Sequence, residues 1–555
     1  MIMKRMFLSP VRQKNLLVKN FKEINLKNII FCTSPFQVLV AKEVVQTVSE
    51  DFIGIYLKMS DDQRQTYYAE RMKEFCKEVI VLEGKTVLDD MREALKGKSV
   101  SNIYLASLDN PVALNLFNPS TMNLYSFDDG STSIVPLNFY TQGLDRTIQA
   151  THFTMREVLS FSTRHYTVFE DCILFPKEKQ VFLKLDIKPI DFHRAKNGKK
   201  ISVFLGQFLA SLPYQESFEI TRQLTSKILD EKKIDYYYPH PRIPLNVSPD
   251  KFKETRFCFE EEIYLLLEEY EFVEVHSFYS TALLLIKDIE GVSVHGYRTF
   301  LTTHESDVFA KLGVPYQNVS QSGTQVDIVM PTYNNEETIQ LSIESVLNQT
   351  HENFNLIIVD DGSTDRTEEI CKSYHWEPRI KYFKKEHGGI SKALNFGISK
   401  SDSMYIARQD ADDLWAPWHL GLLLYRLEKE SHLDIIGAKV IAEEDKLSDK
   451  LIYNKFNELS GELLWLYLAY RNIFNHSTVI FKRSAYDEAG GYHSDFDGME
   501  DWHLWARLVT KDNALILNTV TTYYRLSNQH RREMAFRSRL AKSRGLSLEE
   551  VLKHD

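Results

Sequence analysis

Short apolar runs recur along the chain, each bounded by turn residues and most followed by a stretch with helical spacing. The first, Asn28 to Cys32, leaves through Thr33-Ser34-Pro35 into a predicted helix over Phe36 to Ser49. Asp51 to Leu57 and Glu78 to Leu82 read as further strands, with a helix over Gln63 to Phe75 between them. Ser101 to Ala106, Thr121 to Phe127 and Ile201 to Gly206 repeat the buried-strand pattern. A second series starts at this last strand. It predicts a helix over Ser217 to Glu231, a strand Asp235 to Tyr238, a helix Glu260 to Tyr270, a strand Glu274 to Ser277 and a helix Thr281 to Ile289. Strands alternating with helices predict an α/β fold with parallel sheets. The two series, joined by the basic stretch Lys184 to Lys200, predict two Rossmann-like lobes at about residues 25–185 and 200–315 with a cleft between them. Ligands of such sheets sit at the carboxyl ends of strands, so turn residues there are the first functional candidates.

Residues 318–325 are small and polar and read as a linker. A fresh α/β start follows: a strand over Asp327 to Met330 turns at Pro331-Thr332-Tyr333-Asn334 into a helix that begins near Glu336. The expected organisation is therefore a double-lobed domain over 1–317, a second α/β domain over 326–530, and a tail over 531–555. A chain of 555 residues exceeds what one core organises, which agrees with this division.

Net charge of -10 argues against a general nucleic-acid binder, which needs a basic surface to neutralise phosphates. Five cysteines without CxxC spacing give neither a disulfide framework nor a zinc motif and fit a reducing cytosol. No signal peptide and no uninterrupted apolar stretch of about 18 residues is seen, so a membrane-spanning helix is not expected. The tail segment Arg531 to Arg544 holds six basic residues and one acid. It reads either as a solvated terminal helix packed on its own domain or as an amphipathic helix on an anionic membrane surface.

Four elements of the C-terminal domain make chemical sense in their order. The turn Pro331-Thr332-Tyr333-Asn334 offers helix-terminal amides to a nucleotide. The strand Leu356 to Val359 ends in Asp360-Asp361-Gly362-Ser363, whose carboxylates can hydrogen-bond a base or ribose. The strand Met404 to Gln409 leads into Asp410-Ala411-Asp412-Asp413, and carboxylates at i and i+2 suit Mg²⁺ or Mn²⁺ against a diphosphate. Glu500-Asp501 places an acid pair at a helix start, where either carboxylate can deprotonate an acceptor hydroxyl. Alone, each piece is usually a surface turn or a helix cap; together they point to transferase chemistry.

These residues resemble the inverting glycosyltransferases of family 2, which have the GT-A fold. Val329 to Asn334 looks like the family's opening motif, Val359 to Asp365 its nucleotide loop, Asp410-Ala411-Asp412-Asp413 its metal site, and Glu500-Asp501 its ED motif. Gly388 to Asn395, Asn475-His476-Ser477 and Arg483 to Tyr492 follow the pattern too. The resemblance implies that Asp501 is the base and Glu500 its partner. It implies that Asp410 and Asp412 hold the metal, with His530 as a further candidate over the metal or phosphates. It assigns Pro331, Thr332, Tyr333, Asn334, Asp360, Asp361, Lys392, Asp410, Ala411 and Asp412 to the nucleotide-sugar, expected to be a UDP-hexose or UDP-N-acetylhexosamine.

In residues 1–317 no comparable metal pair stands out. Ser126-Phe127-Asp128-Asp129-Gly130, Tyr238-Pro239-His240-Pro241-Arg242 and His276 to Thr281 each fall at a predicted strand end. A carboxylate of the first can act as base, His240 can protonate or bind a leaving phosphate, and Ser280-Thr281 before a helix can hold a phosphate. Read blandly, the acid pair is a turn and the histidine between prolines is structural. These runs, with Ile29 to Gln37, resemble the bacterial sialyltransferases of family 52 and the related polysialyltransferases. The resemblance implies a GT-B fold, CMP-sialic acid as donor, no metal requirement and inversion. It favours Asp129 as base with Asp128 as runner-up, His240 as acid, and Ser34, Gly206, Pro241, Ser280 and Thr281 around the nucleotide.

The expectation is a bifunctional glycosyltransferase acting on an oligosaccharide or lipid-linked glycan of lipooligosaccharide or capsule. It would be cytoplasmic, with peripheral contact to the inner membrane face through the tail. The alternatives are an N-terminal half that only binds glycan or scaffolds, or one that uses another CMP- or NDP-sugar.

Overall fold

A strand that is apolar at every position must be covered on both faces, and this is what the first runs become. The computed structural model describes residues 28–524 apart from 60–62, 85, 131–132, 136–143, 146, 208, 210–213, 241–244 and 443–457. Pro241, His530 and the basic tail therefore lie outside the described residues. The chain forms two compact units: one holds the described residues up to Tyr297 with His304–Gln317, the other Arg298–Thr303 and the described residues from Asn318.

The first unit contains two parallel sheets. Strands β1 (Asn28–Cys32), β2 (Phe52–Leu57), β3 (Glu78–Leu82), β4 (Asn102–Leu105), β5 (Asn123–Phe127), β6 (Ser162–Thr167) and β7 (Gln180–Phe182) lie in the order β3-β2-β1-β4-β5-β6-β7. Alternate residues of β1 and its neighbours feed two cores. Ile29, Phe31, Ile53, Ile55, Ile103 and Leu105 pack on one face, and Ile30, Cys32, Phe52, Tyr56 and Tyr104 on the other. Strands β8 (Lys200–Leu205), β9 (Tyr236–Tyr238), β10 (Phe272–Ser277), β11 (Val292–Arg298) and β12 (Tyr316–Asn318) form the second sheet, ordered β12-β11-β10-β8-β9. In each, the order reverses beside the first strand of its series, which opens a crevice at the carboxyl edge.

The second unit holds a mixed sheet. Its strands are β13 (Val326–Thr332), β14 (Phe354–Asp360), β15 (Ile380–Lys384), β16 (Tyr405–Arg408), β17 (Leu414–Trp415), β18 (Ile435–Ala442), β19 (Leu459–Ser460), β20 (Ile480–Lys482) and β21 (Ala514–Tyr524). The order is β15-β14-β13-β16-β20-β18-β21-β17, with β19 on β21. Strands β13 to β16 pair in parallel, whereas β20 runs antiparallel to both β16 and β18.

One expectation is corrected here. Pro331 and Thr332 belong to the strand, opposite Val359 and Asp360 of β14, and the helix begins at Ile339 rather than near Glu336. The intervening turn is held by side chains instead of helix bonds: Asn334 N–H donates to Ser363 Oγ (3.0 Å), Asn335 N–H to Thr367 Oγ1 (2.8 Å) and Glu336 N–H to Asp365 Oδ2 (3.1 Å). Among the described residues no helix is long and apolar enough to cross a membrane.

Candidate functional site

In the first unit, the carboxyl edge of the seven-stranded sheet collects polar groups from three strand ends. Ser34 caps the helix Pro35–Val48, and Pro35 sits in its first turn, where a missing N–H costs nothing. Gln37, wholly buried in that first turn, donates through Nε2 to Asp129 Oδ1 (2.5 Å) and to Ser107 Oγ (3.1 Å). Ser107 donates in turn to Asp129 Oδ2 (2.9 Å). Asp129 itself is half-buried.

Its neighbour Asp128 is a different kind of residue. It is wholly buried, and its oxygens accept from Ser133 Oγ (2.7 Å), Val168 N–H (2.7 Å) and His165 Nε2 (3.1 Å). Burial opposes a charge on His165, but its bonds to Asp128 and Cys172 prevail and raise the imidazole to about 9. Asp128 is thus one half of a buried ion pair that anchors the turn, and Asp129 presents the remaining carboxylate.

The second lobe of this unit supplies the facing groups. Gly130 has φ +81°, and a Cβ there would stand 3.1 Å from Thr281 Oγ1, so the acid turn meets the start of the helix Thr281–Ile286. Ser280 is that helix's N-cap residue. Gly206, at the end of β8, leaves room for Tyr237, whose hydroxyl would lie 2.5 Å from a side chain there. His240 is half-buried two residues beyond β9. His276 is internal: it stacks on His295 at 4.7 Å and bonds Tyr297 Oη through Nδ1 (2.8 Å).

In the second unit, Asp360 and Asp361 brace loops. Asp360 is wholly buried, accepting from Ser363 N–H (2.7 Å) and Tyr382 Oη (2.6 Å). Asp361 accepts from Gly388 N–H (3.1 Å), Gly389 N–H (2.9 Å) and Lys385. Asp361 thus fixes the loop that leads to the helix Ile390–Ser399, on which Lys392 is exposed, while Asp360 ties its own turn to β15. Tyr333 is 45% exposed and stacks on His387 at 4.3 Å, so an aromatic face stands beside this loop. Asn334, at φ +55°, takes Thr364 N–H on its side-chain oxygen (2.9 Å).

Asp410 and Asp412 follow the end of β16 and are both half-buried, while Ala411 between them is buried. Asp410 accepts from Arg408 Nη2 (2.5 Å) and Ser477 Oγ (2.8 Å). Burial works against its charge, but the Arg408 guanidinium outweighs it and holds the carboxyl below its usual range. Ser477 belongs to a short turn, His476–Thr478, that also carries His476, whose Nδ1 lies 3.8 Å from Glu500 Oε1. The turn therefore connects the acids after β16 to the pair that opens the helix Glu500–Leu508.

Within that pair, Glu500 is buried and accepts from Gly498 N–H (2.6 Å), whereas Asp501 is half-buried. Asp501 accepts from Asn472 Nδ2 (2.7 Å) and Trp502 N–H (2.6 Å). Burial, reinforced by Asp501, pushes Glu500 up to about 8. Burial likewise raises Asp501 to about 6, against the pull of its two hydrogen bonds.

Among the described residues no group of three or more His, Cys, Asp or Glu side chains is arranged to hold a metal alone. Asp410 and Asp412 supply two hard carboxylate donors, which fits Mg²⁺ or Mn²⁺ completing its sphere with water and substrate phosphate. Sequence reasoning gave no role to Gln37, Ser107, His165, Arg408 or Asn472. Arg408 had a readable signal, a charge inside an apolar strand run; the others needed the tertiary fold.

Acids at strand and helix ends, hydrogen-bonded loops beside them, and α/β sheets open at their carboxyl edges are features that a nucleotide-sugar-dependent glycosyltransferase needs. Residues 327–490 match the family described as Glycosyl transferase family 2, and residues 49–299 match Glycosyltransferase family 52. The second unit is similar to the Putative glycosyltransferase EpsE of Bacillus subtilis (strain 168), 35% identical over 196 residues that span 34% of this chain and 67% of the relative. It is also similar to the O-antigen biosynthesis glycosyltransferase WbnJ of Escherichia coli, 30% identical over 190 residues spanning 34% of this chain and 72% of the relative. The first unit is similar to the CMP-N-acetylneuraminate:beta-galactoside alpha-2,3-sialyltransferase of Pasteurella multocida (strain Pm70). Identity there is 23% over 276 residues, 47% of this chain and 87% of the relative. The chain belongs to the glycosyltransferases and carries two distinct family domains, a family 52 type followed by a family 2 type.

Proposed function

We propose that the chain is a bifunctional glycosyltransferase, with a GT-B-type domain over 1–317 that transfers sialic acid from CMP-sialic acid and a GT-A-type domain over 326–530 that transfers a hexose or N-acetylhexosamine from a UDP-sugar. One observation carries the reading. In each unit a pair of adjacent acids is split by environment, one buried and one half-exposed and held by a carboxamide: Asp128 against Asp129 with Gln37, and Glu500 against Asp501 with Asn472. A base needs access and a fixed orientation, and in each pair Asp129 and Asp501 are the less buried member and are held in place by a carboxamide. The donor class of the first domain is supported by its similarity to a sialyltransferase over most of that enzyme's length.

In the second domain, Asp501 accepts the proton of the acceptor hydroxyl as that oxygen attacks the anomeric carbon. The new glycosidic bond forms while the bond to the diphosphate breaks on the opposite face, so configuration inverts. Arg408 and Ser477 keep Asp410 oriented. A divalent cation held by Asp410 and Asp412 would neutralise the departing diphosphate. In the first domain, Asp129 takes the acceptor proton, while His240, Ser280 and Thr281 stand toward the leaving phosphate, and no metal is required. A lipid-linked or oligosaccharide acceptor at the inner face of the cytoplasmic membrane, for lipooligosaccharide or capsule, suits both steps; the O-antigen role in the name of one relative supports it.

The test is donor turnover by the full-length protein, scanning CMP-sialic acid and UDP-sugars against an acceptor panel with and without Mn²⁺. Metal-independent CMP release together with Mn²⁺-dependent UDP release is the expected result. UDP release that persists in EDTA would reject the metal assignment. Failure to release CMP with every acceptor, beside active UDP turnover, would reject the sialyltransferase reading.

A further inference from the structure

Gln37 lies in the first turn of the helix that follows β1, and its position in the fold is unusual for an amide. It is 0% exposed, yet each of its polar atoms is used. Oε1 accepts from Thr33 N–H (2.6 Å) and Thr33 Oγ1 (3.2 Å). Two donors on this atom fix which way the amide points, because turning it over would set its N–H groups against the Thr33 N–H. Nε2 must therefore face Ser107 and Asp129. A buried polar residue costs stability unless fully paired, and here the pairing joins the ends of β1, β4 and β5 at one carboxylate.

We infer that Gln37 is the positioning residue for the base of the first domain: its amide, with the Ser107 hydroxyl, holds one oxygen each of Asp129 and sets the carboxylate's direction and basicity. The inference rests on the reading of Asp129 as that base. Cys32 and Asp128 are titratable groups beside the carboxylate. Cys32 of β1 is buried, and burial raises its thiol well above its usual range, so it is neutral. Asp128 on the same turn is paired with His165 of β6. Gln37 is thus the neighbour whose chemistry can be changed without adding bulk. A glutamate at position 37 has the same shape, but it puts a second carboxyl where the amide donated. Two carboxyls at hydrogen-bond distance share a proton, which makes the base harder to deprotonate.

The test compares Gln37→Glu, Gln37→Met and Asp129→Asn in the full chain, measuring CMP release from CMP-sialic acid with acceptor across pH. Manganese-dependent UDP release from the second domain and thermal melting serve as controls for folding. Gln37→Glu is expected to move the acid limb of the pH–rate profile upward by about one unit and to lower kcat at least tenfold at pH 7, with KM within about twofold. Gln37→Met, which only removes the donor, is expected to lower kcat and to move that limb upward by less than Gln37→Glu does. An unmoved limb in a folded Gln37→Glu protein, with Asp129→Asn inactive, would overturn the role of Gln37 alone. Retained CMP release by Asp129→Asn would overturn the base assignment and the inference with it.

Discussion

Glu500 and Asp501 are adjacent in sequence and differ only by a methylene, yet the first turn of their helix turns one inward and the other toward the open side. Burial disfavours the charged form of Glu500, so in the fold it keeps its proton to about pH 8, whereas an unfolded glutamate loses it near its usual value of about 4.3. Between those limits the native state binds more protons than the unfolded one, and stability falls as pH rises. Glu500→Gln removes that penalty and keeps an oxygen for Gly498 N–H. It should therefore melt higher than the parent at pH 8.5 and no higher at pH 4.5; thermal unfolding followed across pH checks this. A carboxylate already charged in the fold would give no pH-dependent gain. The sequence showed the acid pairs Asp128-Asp129 and Glu500-Asp501 but not which member was open. That depended on His165 and Asn472, which lie 37 and 29 residues away.

Loops, rather than sheets, carry most of the binding geometry in the second unit. The loop over Lys385 to Gly389 is tied to Asp361 and enters its helix through Gly389 at φ +93°, where a Cβ would collide with the carboxylate of Asp497. Only glycine fits both constraints. Gly389→Ala should raise KM for the UDP-sugar about tenfold or more while CMP release by the first domain is unchanged; steady-state kinetics with both donors decides it. The helix expected to begin near Glu336, after the turn Pro331-Thr332-Tyr333-Asn334, begins only at Ile339. Side chains of Ser363, Thr367 and Asp365 take the amides of Asn334, Asn335 and Glu336 instead, and no local pattern announces contacts about 30 residues distant.

Each unit has its own sheets and its own core, one family type apiece, so the two ligand equilibria should be separable. A ligand that binds only the folded state stabilises it by about 2.7 kcal/mol at a hundred times its Kd. CMP should delay unfolding reported from the first unit and UDP with Mn²⁺ that from the second, each without the other. Hydrogen exchange of peptides from β1 and β13 with either nucleotide tests this. Protection of both regions by one nucleotide would tie the two domains into one binding unit.

The sequence alone determined the alternation of strands and helices, because apolar runs covered on both faces and helical spacing between them are local properties. It also set the strand-end positions of Asp129 and Asp410 and the helix-start position of Asp501, since such turns follow directly from where each run stops or begins. Strands without a continuous apolar run, such as β6 with its buried His165, were not legible. The tertiary structure decided which of two neighbouring acids is buried, which backbone amides are already engaged, and that Gln37 reaches Asp129. Those outcomes follow from contacts between residues far apart in the chain, where burial and pairing, rather than spacing, fix the energy of a polar group.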